Sequence, residues 1–166
     1  KTGVGLKLAS GLLGLSGGLL LPTMFFTMVT AIILGMGVPT TANYVITSTI
    51  AAPAIIQMGV PVLCAHMFVF YFGIIADVTP PVALAAFAGA GIAGGDPLRT
   101  GINASKLAIA AFIIPYMFVL SPNLLMIDAT AANLIVTTAT ALLGMVALSS
   151  SLIGYLVDKS RVAERL

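Results

Sequence analysis

DVTPPV, residues 77–82, stands in the middle of an apolar run that extends over residues 62–94. A helix needs about 20 apolar residues to cross a bilayer, so this run is long enough. Pro80 and Pro81 lack a backbone N–H, and each pushes its preceding residue out of helical geometry. The run is therefore predicted to form two half-helices joined by an unwound link. Its free carbonyl groups must face protein or a wet cavity, because lipid cannot satisfy them.

The composition is that of an integral membrane protein. Of the 166 residues, 60% are hydrophobic and 7% are charged, whereas soluble domains carry about 25% charged residues. The apolar runs lack strict alternation, which favours helices over strands. The net charge of +2 is too small to indicate binding to nucleic acid.

The predicted fold class is all-α, with transmembrane helices, a re-entrant helical hairpin and the proline-broken helix. The hairpin is predicted between two sets of breaks, at Gly35, Gly37 and Pro39 and again at Pro53 and Pro61, because each half is too short to span alone. The predicted segments are an interfacial helix at 1–18, a spanning helix at 19–34, the hairpin at 35–61, the broken helix at 62–94, a loop at 95–105, spanning helices at 106–120 and 133–157, and a charged tail at 158–166.

Positive charges give an expected topology. The loop at 121–131 has no lysine or arginine, so the positive-inside rule places it outside and the positive clusters in the cytoplasm. This arrangement holds only if the hairpin enters from outside and returns there. The clusters are Lys1 with Lys7, Arg99 with Lys106, and Lys159 with Arg161 and Arg165.

Oxygen atoms around the proline pair suit a hard cation such as Na⁺. The carbonyl groups near Ala76 and Val82 and the Thr79 hydroxyl are the predicted ligands. A carboxyl group in a membrane segment is a functional candidate. Asp77 either stays ionised beside a cation or carries H⁺ with a raised pKa. The structural alternatives are a kinked helix without a ligand and a helix-end acid held by backbone donors.

A second polar set follows the break at Pro39. Thr40, Thr41 and Asn43 lie at a predicted helix N-terminus, whose free N–H groups and dipole favour an anionic substrate carboxylate. The next hydroxyl groups are expected to bond to carbonyl groups of their own helix; these are Thr47, Ser48 and Thr49. No pairing of nucleophile and base, metal-ligand spacing or phosphate loop is recognisable, so an enzyme is not expected.

Two blocks carry a family resemblance: GMGVPTTANYVITSTIAAPAI at 35–55 and HMFVFYFGIIADVTPPVALAAFAGAGIAGGDPLRTG at 66–101. Most of residues 1–157 resembles the DctM-like large membrane subunit of tripartite ATP-independent periplasmic (TRAP) transporters, in particular the C-terminal repeat of TAXI-type fused permeases. The resemblance implies an elevator-type transporter with two inverted repeats, each holding a re-entrant hairpin and a broken helix. Only the second repeat is present, so we expect the chain to be one piece of a larger permease.

The resemblance also implies a function. A periplasmic substrate-binding protein would deliver small organic acids to a multi-pass permease in a bacterial or archaeal inner membrane. A small membrane subunit or fused small domain would assist, and a cation gradient would drive uptake. The dicarboxylate-type members of the family tend to have an apolar residue where Asp77 stands, so both Na⁺ and H⁺ stay open. The alternative is a channel or structural membrane subunit without coupled transport. The implied Na⁺ ligands are Gly35 or Gly37 with Val38 at the hairpin, and Ala76, Thr79 and Val82 at the break.

Overall fold

The computed structural model describes residues 3–153, which are largely helical and contain no strand. The all-α prediction is confirmed for this part of the chain. Lys1, the end of the helix predicted to reach residue 157 and the tail at 158–166 lie outside it. The elements are α1 (Val4–Leu15), α2 (Leu20–Gly35), α3 (Thr40–Ile50), α4 (Ala52–Ile56), α5 (Val62–Ile75), a 3₁₀ turn (Ala76–Val78), α6 (Leu84–Ala93), α7 (Pro97–Leu107), α8 (Ile109–Leu120), a second 3₁₀ turn (Pro122–Leu125) and α9 (Ala131–Ile153).

A helical hairpin is formed by α2 and the pair α3–α4, with the reversal at residues 36–39. Asn43, in the first turn of α3, lies against Gly35, the last residue of α2. At the opposite end, α4 packs against α1, the helix that precedes α2. Because the chain before α2 meets the chain after α3, the two arms run in opposite directions.

The predicted position of the hairpin is therefore wrong. Residues 19–34 coincide with α2, which is the first arm of this hairpin. Its 16 residues measure about 24 Å, less than the hydrocarbon thickness of about 30 Å. Residues 35–61 hold only the second arm. Ala51 alone interrupts that arm, in right-handed helical geometry (φ −96°, ψ −39°). Pro53 lies in the first turn of α4, where its missing N–H does no harm, so it does not reverse the chain.

The apolar run at 62–94 is interrupted at the proline pair. Helix α5 and its 3₁₀ turn end at Val78, Thr79 is extended (φ −105°, ψ 124°), and α6 begins at Leu84. The Pro80–Pro81 peptide bond is cis, and buried Ala83 adopts left-handed geometry (φ 38°). The two half-helices are thus joined by an unwound link at residues 79–83.

The loop predicted at 95–105 is also wrong, because most of it is the amphipathic helix α7. The Asp96 carboxylate accepts a hydrogen bond from the Arg99 N–H at 2.7 Å, and Pro97 occupies the first turn. A capping acid followed by proline is a strong helix start. Helices α7 and α8 meet at an angle of 41° around Ala108.

Helix α5 forms the centre of the core. Its buried Phe68 and Phe72 stack edge-on against Tyr116 of α8, with ring centroids 5.2 and 5.9 Å apart. Buried Met24 of α2 belongs to the same cluster. Among the described residues, α9 alone is long and apolar enough to cross a membrane as one straight helix, and α7 with α8 qualify as a bent pair. Many large apolar side chains on α2, α7 and α9 are exposed, as expected of a chain surrounded by lipid.

Asp96→Ala should lower the stability of α7, because it removes the cap on the Arg99 N–H. Losing such a cap costs about 0.5–2 kcal/mol. The thermal unfolding midpoint of the purified permease in detergent should fall. Asp96→Asn is the control, since asparagine caps a helix about as well. If both variants lose the same stability, the cap does not hold α7.

Candidate functional site

The hairpin tip consists of residues 36–39 and the helix ends beside them. Gly37 has a positive φ of 73°, a conformation that glycine adopts without strain. Helix α3 then begins at Thr40, and no side chain caps its first turn. Its first N–H groups are therefore open to a ligand.

The tip is held against α5 by the side chain of Asn43, which packs between two glycines; this contact is called the Asn43 wedge below. Asn43 is only 2% exposed, and its amide group lies between Gly35 and Gly73. A Cβ on Gly73 would lie 2.6 Å from Asn43 Nδ2, and one on Gly35 would lie 2.8 Å from the same atom. Contacts under 3.0 Å leave no room for a methyl group. Glycine at both positions thus allows α2, α3 and α5 to meet at the tip.

Asn43 also carries an unsatisfied polar atom. Its Oδ1 is buried and has no hydrogen-bond partner within residues 3–153. Buried polar atoms in native structures are normally paired, and an unpaired one is often explained by a bound water or ion. An oxygen acceptor therefore lies free beside the ends of α2 and α5.

The unwound link lies directly against the tip. A Cβ on Gly37 would be 3.9 Å from Val82 Cγ1. Between the two breaks is a cavity of about 260 Å³, to which the tip and both sides of the link contribute. Its lining consists of Gly37, Val38, Pro39, Thr40, Asp77, Leu84 and Ala85.

Asp77 is half-buried in this cavity. Within residues 3–153, its carboxylate has no hydrogen-bond or ion-pair partner. The backbone donors that a purely structural helix-end acid would use are thus not engaged. Its oxygens are available to a cation or a proton.

C-terminal and N-terminal helix ends meet at this cavity. Helix α2 and the 3₁₀ turn after α5 end at the cavity, while α3 and α6 begin there. C-terminal ends carry partial negative charge and favour cations, and N-terminal ends favour anions. The cavity therefore has helix ends that favour a cation beside helix ends that favour an anion.

The chain matches the family model described as "Tripartite ATP-independent periplasmic transporter, DctM component" over residues 1–134. The chain belongs to this family. No curated protein and no solved structure matches it. DctM proteins are integral membrane components of transporters and are not an enzyme family. They generally work with a substrate-binding protein and a small subunit.

The predicted site residues of this DctM protein fall into three groups. Gly37, Val38, Thr40 and Asp77 line the cavity, with Val82 in contact with Gly37. Gly35 and Ala76 pack against each other, since a Cβ on Gly35 would lie 3.0 Å from that of Ala76. The remaining predicted residues lie elsewhere: Thr79, Thr41 and Asn43.

Thr79 faces the opposite side of the break. Its hydroxyl donates to the Ile75 carbonyl at 2.7 Å, and its side chain lines a separate groove with Pro80. The Ala76 carbonyl already accepts from the Thr79 N–H at 3.3 Å. The structure therefore does not bring the Thr79 side chain into the cavity with Asp77. The Ala76 carbonyl oxygen and the Thr79 hydroxyl oxygen each retain a free lone pair.

Asn43 is likewise separated from its predicted partners. Thr40 and Thr41 are exposed at the start of α3, whereas Asn43 is buried between Gly35 and Gly73. Their roles in substrate binding stay predictions. The expectation for the next hydroxyl groups is confirmed, since each bonds to a carbonyl of α3 one turn earlier: Thr47, Ser48 and Thr49.

Two residues that position the site were missed by sequence reasoning. Gly73 interrupts an aromatic helix, and such an isolated glycine often marks close packing. Ser105 of α7 donates to the Val78 carbonyl at 3.0 Å, which satisfies a carbonyl group freed by the break. No sequence signal links Ser105 to Val78, because the contact depends on how α7 folds back.

Gly73→Ala should destabilise the DctM protein by about 1–3 kcal/mol, because the new methyl group overlaps the Asn43 amide. The measurement is the unfolding midpoint of the purified permease in detergent. Gly89→Ala is the matched control, since Gly89 is also helical and has nothing within 4 Å of an added Cβ. Adding Asn43→Ala should restore part of the loss. If Gly73→Ala and Gly89→Ala lower the unfolding midpoint equally, the Asn43 wedge does not stabilise the tip.

Proposed function

We propose that this DctM chain forms the moving part of a cation-coupled permease that takes up small organic acids delivered by a substrate-binding protein. The observation that carries this proposal is the meeting of two backbone breaks, the hairpin tip and the link at 79–83, around one cavity. Discontinuous helices that expose their ends at membrane depth are how secondary transporters hold ions and substrates.

The coupling ion is proposed to bind beside Asp77. The carboxylate of Asp77 is unpaired within the described residues, and the unpaired Oδ1 of Asn43 lies near the same helix ends. Carboxylate, amide and backbone oxygens are suitable ligands for Na⁺. The same carboxylate is the natural carrier if the coupling ion is H⁺. Gly35, Val38 and Ala76 supply the nearby backbone oxygens.

The substrate carboxylate is proposed to bind where α3 and α6 begin. Thr40 lies in the cavity and Thr41 is exposed next to it, at an uncapped helix N-terminus. Helix N-termini attract anions through free N–H groups and the dipole. A bound cation would offset the charge of Asp77, so cation and substrate would favour each other's binding.

The hairpin geometry changes the expected membrane orientation. Because α2 and α3–α4 form one hairpin, α1 and the start of α5 lie on the same side. Helices α5 and α6 then cross, so Arg99 and Lys106 lie on the opposite side from Lys7. On this geometry Lys7 would lie across the membrane from Arg99 and Lys106, contrary to the expectation from charge alone that all three positive clusters are cytoplasmic. We propose that Arg99 and Lys106 face the cytoplasm, and that Lys7 and the uncharged loop at 121–131 lie outside.

Uptake of ¹⁴C-labelled organic acids by the complete permease in proteoliposomes tests the function. An imposed Na⁺ or H⁺ gradient should accelerate uptake, and uptake should saturate and depend on the substrate-binding protein. Asp77→Asn should abolish H⁺-driven uptake. If Na⁺ is the coupling ion, it should raise the Na⁺ concentration needed for half-maximal uptake by about 10- to 100-fold, as expected for the loss of a charged ligand.

Asp96→Asn is the control for this experiment, because Asp96 is an exposed acid at the start of α7. Its uptake should equal that of the wild type. Unchanged uptake in Asp77→Asn would remove Asp77 from the mechanism. Uptake that neither saturates nor responds to either gradient would instead indicate a channel or structural subunit.

Single cysteines test the orientation, in a background in which buried Cys64 is replaced by alanine. Ser10→Cys in α1 and Gln57→Cys after α4 should react with an impermeant thiol reagent from the same side. Leu98→Cys in α7 should react only from the other side. All three native residues are exposed. Labelling of Ser10→Cys and Gln57→Cys from opposite sides would show that α2–α3 is not a hairpin.

A further inference from the structure

A large apolar groove lies on the side of the break away from Asp77. It has a volume of about 660 Å³ and runs between α2 and α8, from Met28 to the bend after α7. Volumes of about 300–1,000 Å³ are typical of sites that hold small ligands. Phe112 and Ile113 form its wall, and Thr79 with Pro80 form its end.

Lys106 is the charged residue at this groove. The other polar side chains in the lining are already engaged. Thr79 donates to Ile75 O, Tyr116 donates to Met28 Sδ, and the single proton of the Ser105 hydroxyl is shared between the carbonyl oxygens of Val78 and Gly101. Within residues 3–153, Lys106 has no hydrogen-bond or ion-pair partner. A ligand in this groove would therefore meet apolar walls and one free ammonium group.

A second cavity lies on the other side of Lys106. It has a volume of about 300 Å³ and is lined by Asn103, Lys106, Leu107 and Leu152. The last turn of α7 thus separates two cavities that share one lysine. Asn103 adds an amide, which can donate a hydrogen bond to the same head group.

The depth of Lys106 suits a lipid head group. Helix α5 has 14 residues, or about 21 Å of a hydrocarbon layer that is about 30 Å thick. The break therefore lies nearer the membrane surface on the α6 side. Ser105 bonds to Val78 at that level, and the flexible side chain of Lys106 can extend its ammonium group towards the surface.

We propose that an anionic phospholipid binds across the end of α7, with its phosphate on Lys106 and Asn103 and its two acyl chains in the two cavities. Acyl chains gain little by leaving the bilayer for an apolar groove, because both environments are equally apolar. Selection must therefore come from the head-group charge, and basic pockets between membrane helices bind anionic lipids on the cytoplasmic side. The bound lipid would contact the link at 79–83 on the side away from Asp77.

The test uses delipidated permease in detergent, supplemented with phosphatidylglycerol, phosphatidylcholine or palmitate. Phosphatidylglycerol should raise the unfolding midpoint by several degrees more than phosphatidylcholine, and native mass spectrometry should detect about one tightly bound phosphatidylglycerol. Lys106→Gln should abolish this preference, and Lys106→Arg should retain it. Arg99→Gln should also retain it, since Arg99 lies two turns earlier on the same helix and lines neither cavity.

Three results would overturn the proposal. Equal stabilisation of the wild type by the two phospholipids would show that the site does not select charge, and this comparison needs no variant to fold. An equal loss in Arg99→Gln and Lys106→Gln would indicate general surface charge. Stabilisation by palmitate as strong as that by phosphatidylglycerol would show that the second chain has no role. None of these readouts depends on transport, so they leave the proposed function untouched.

Discussion

The close packing of one amide against two glycines fixes the arrangement of the whole site. Asn43 enters the space that side chains on Gly35 and Gly73 would fill, so three helices meet where each would otherwise be held apart. The end of α2, the start of α3 and the last turn of α5 are thereby brought to one point. The hairpin could pair its arms without this contact, but its tip would not lie against the break in the following helix.

Because these helix ends meet at one point, the backbone groups left unpaired by the two breaks lie close together. Lipid offers nothing to an unpaired carbonyl or N–H group, so each break must be satisfied by protein, water or a ligand. Some groups are satisfied internally: Ser105 bonds to the Val78 carbonyl, and Thr79 bonds back to Ile75. Others stay open around the cavity, together with the Asp77 carboxylate, and the unpaired Asn43 oxygen lies behind the tip against Gly35 and Gly73. The proposed site for a cation and an anion lies where two helices end and two begin.

The sequence predicted the chemistry of the breaks better than the path of the chain between them. Prolines and glycines act locally, so the interruption at Pro80–Pro81 and the turn at Gly37 could be located from residue types alone. The arms of the hairpin were misplaced because Pro53 resembles a break but lies harmlessly in a first turn, and the short length of α2 was overlooked. That error also changed the expected number of membrane crossings before Arg99, on which the proposed position of Lys7 depends. The Asp96 cap of α7 was readable from sequence and was missed. The Asn43 wedge and the contact between Ser105 and Val78 were not readable, because both join residues whose proximity only the folded chain creates.

Formation of a disulfide between the hairpin tip and the link tests the central claim most directly. The permease would carry Gly37→Cys and Val82→Cys, with Cys64 replaced by alanine. A Cβ on Gly37 would lie 3.9 Å from Val82 Cγ1, so the side chains of the two cysteines would be in contact, as disulfide formation requires. The account predicts that mild oxidation removes both free thiols in this pair and leaves them in a Gly37→Cys/Gly89→Cys control. Free thiols that persist in the first pair, or that vanish equally in both, would contradict the meeting of the tip and the break.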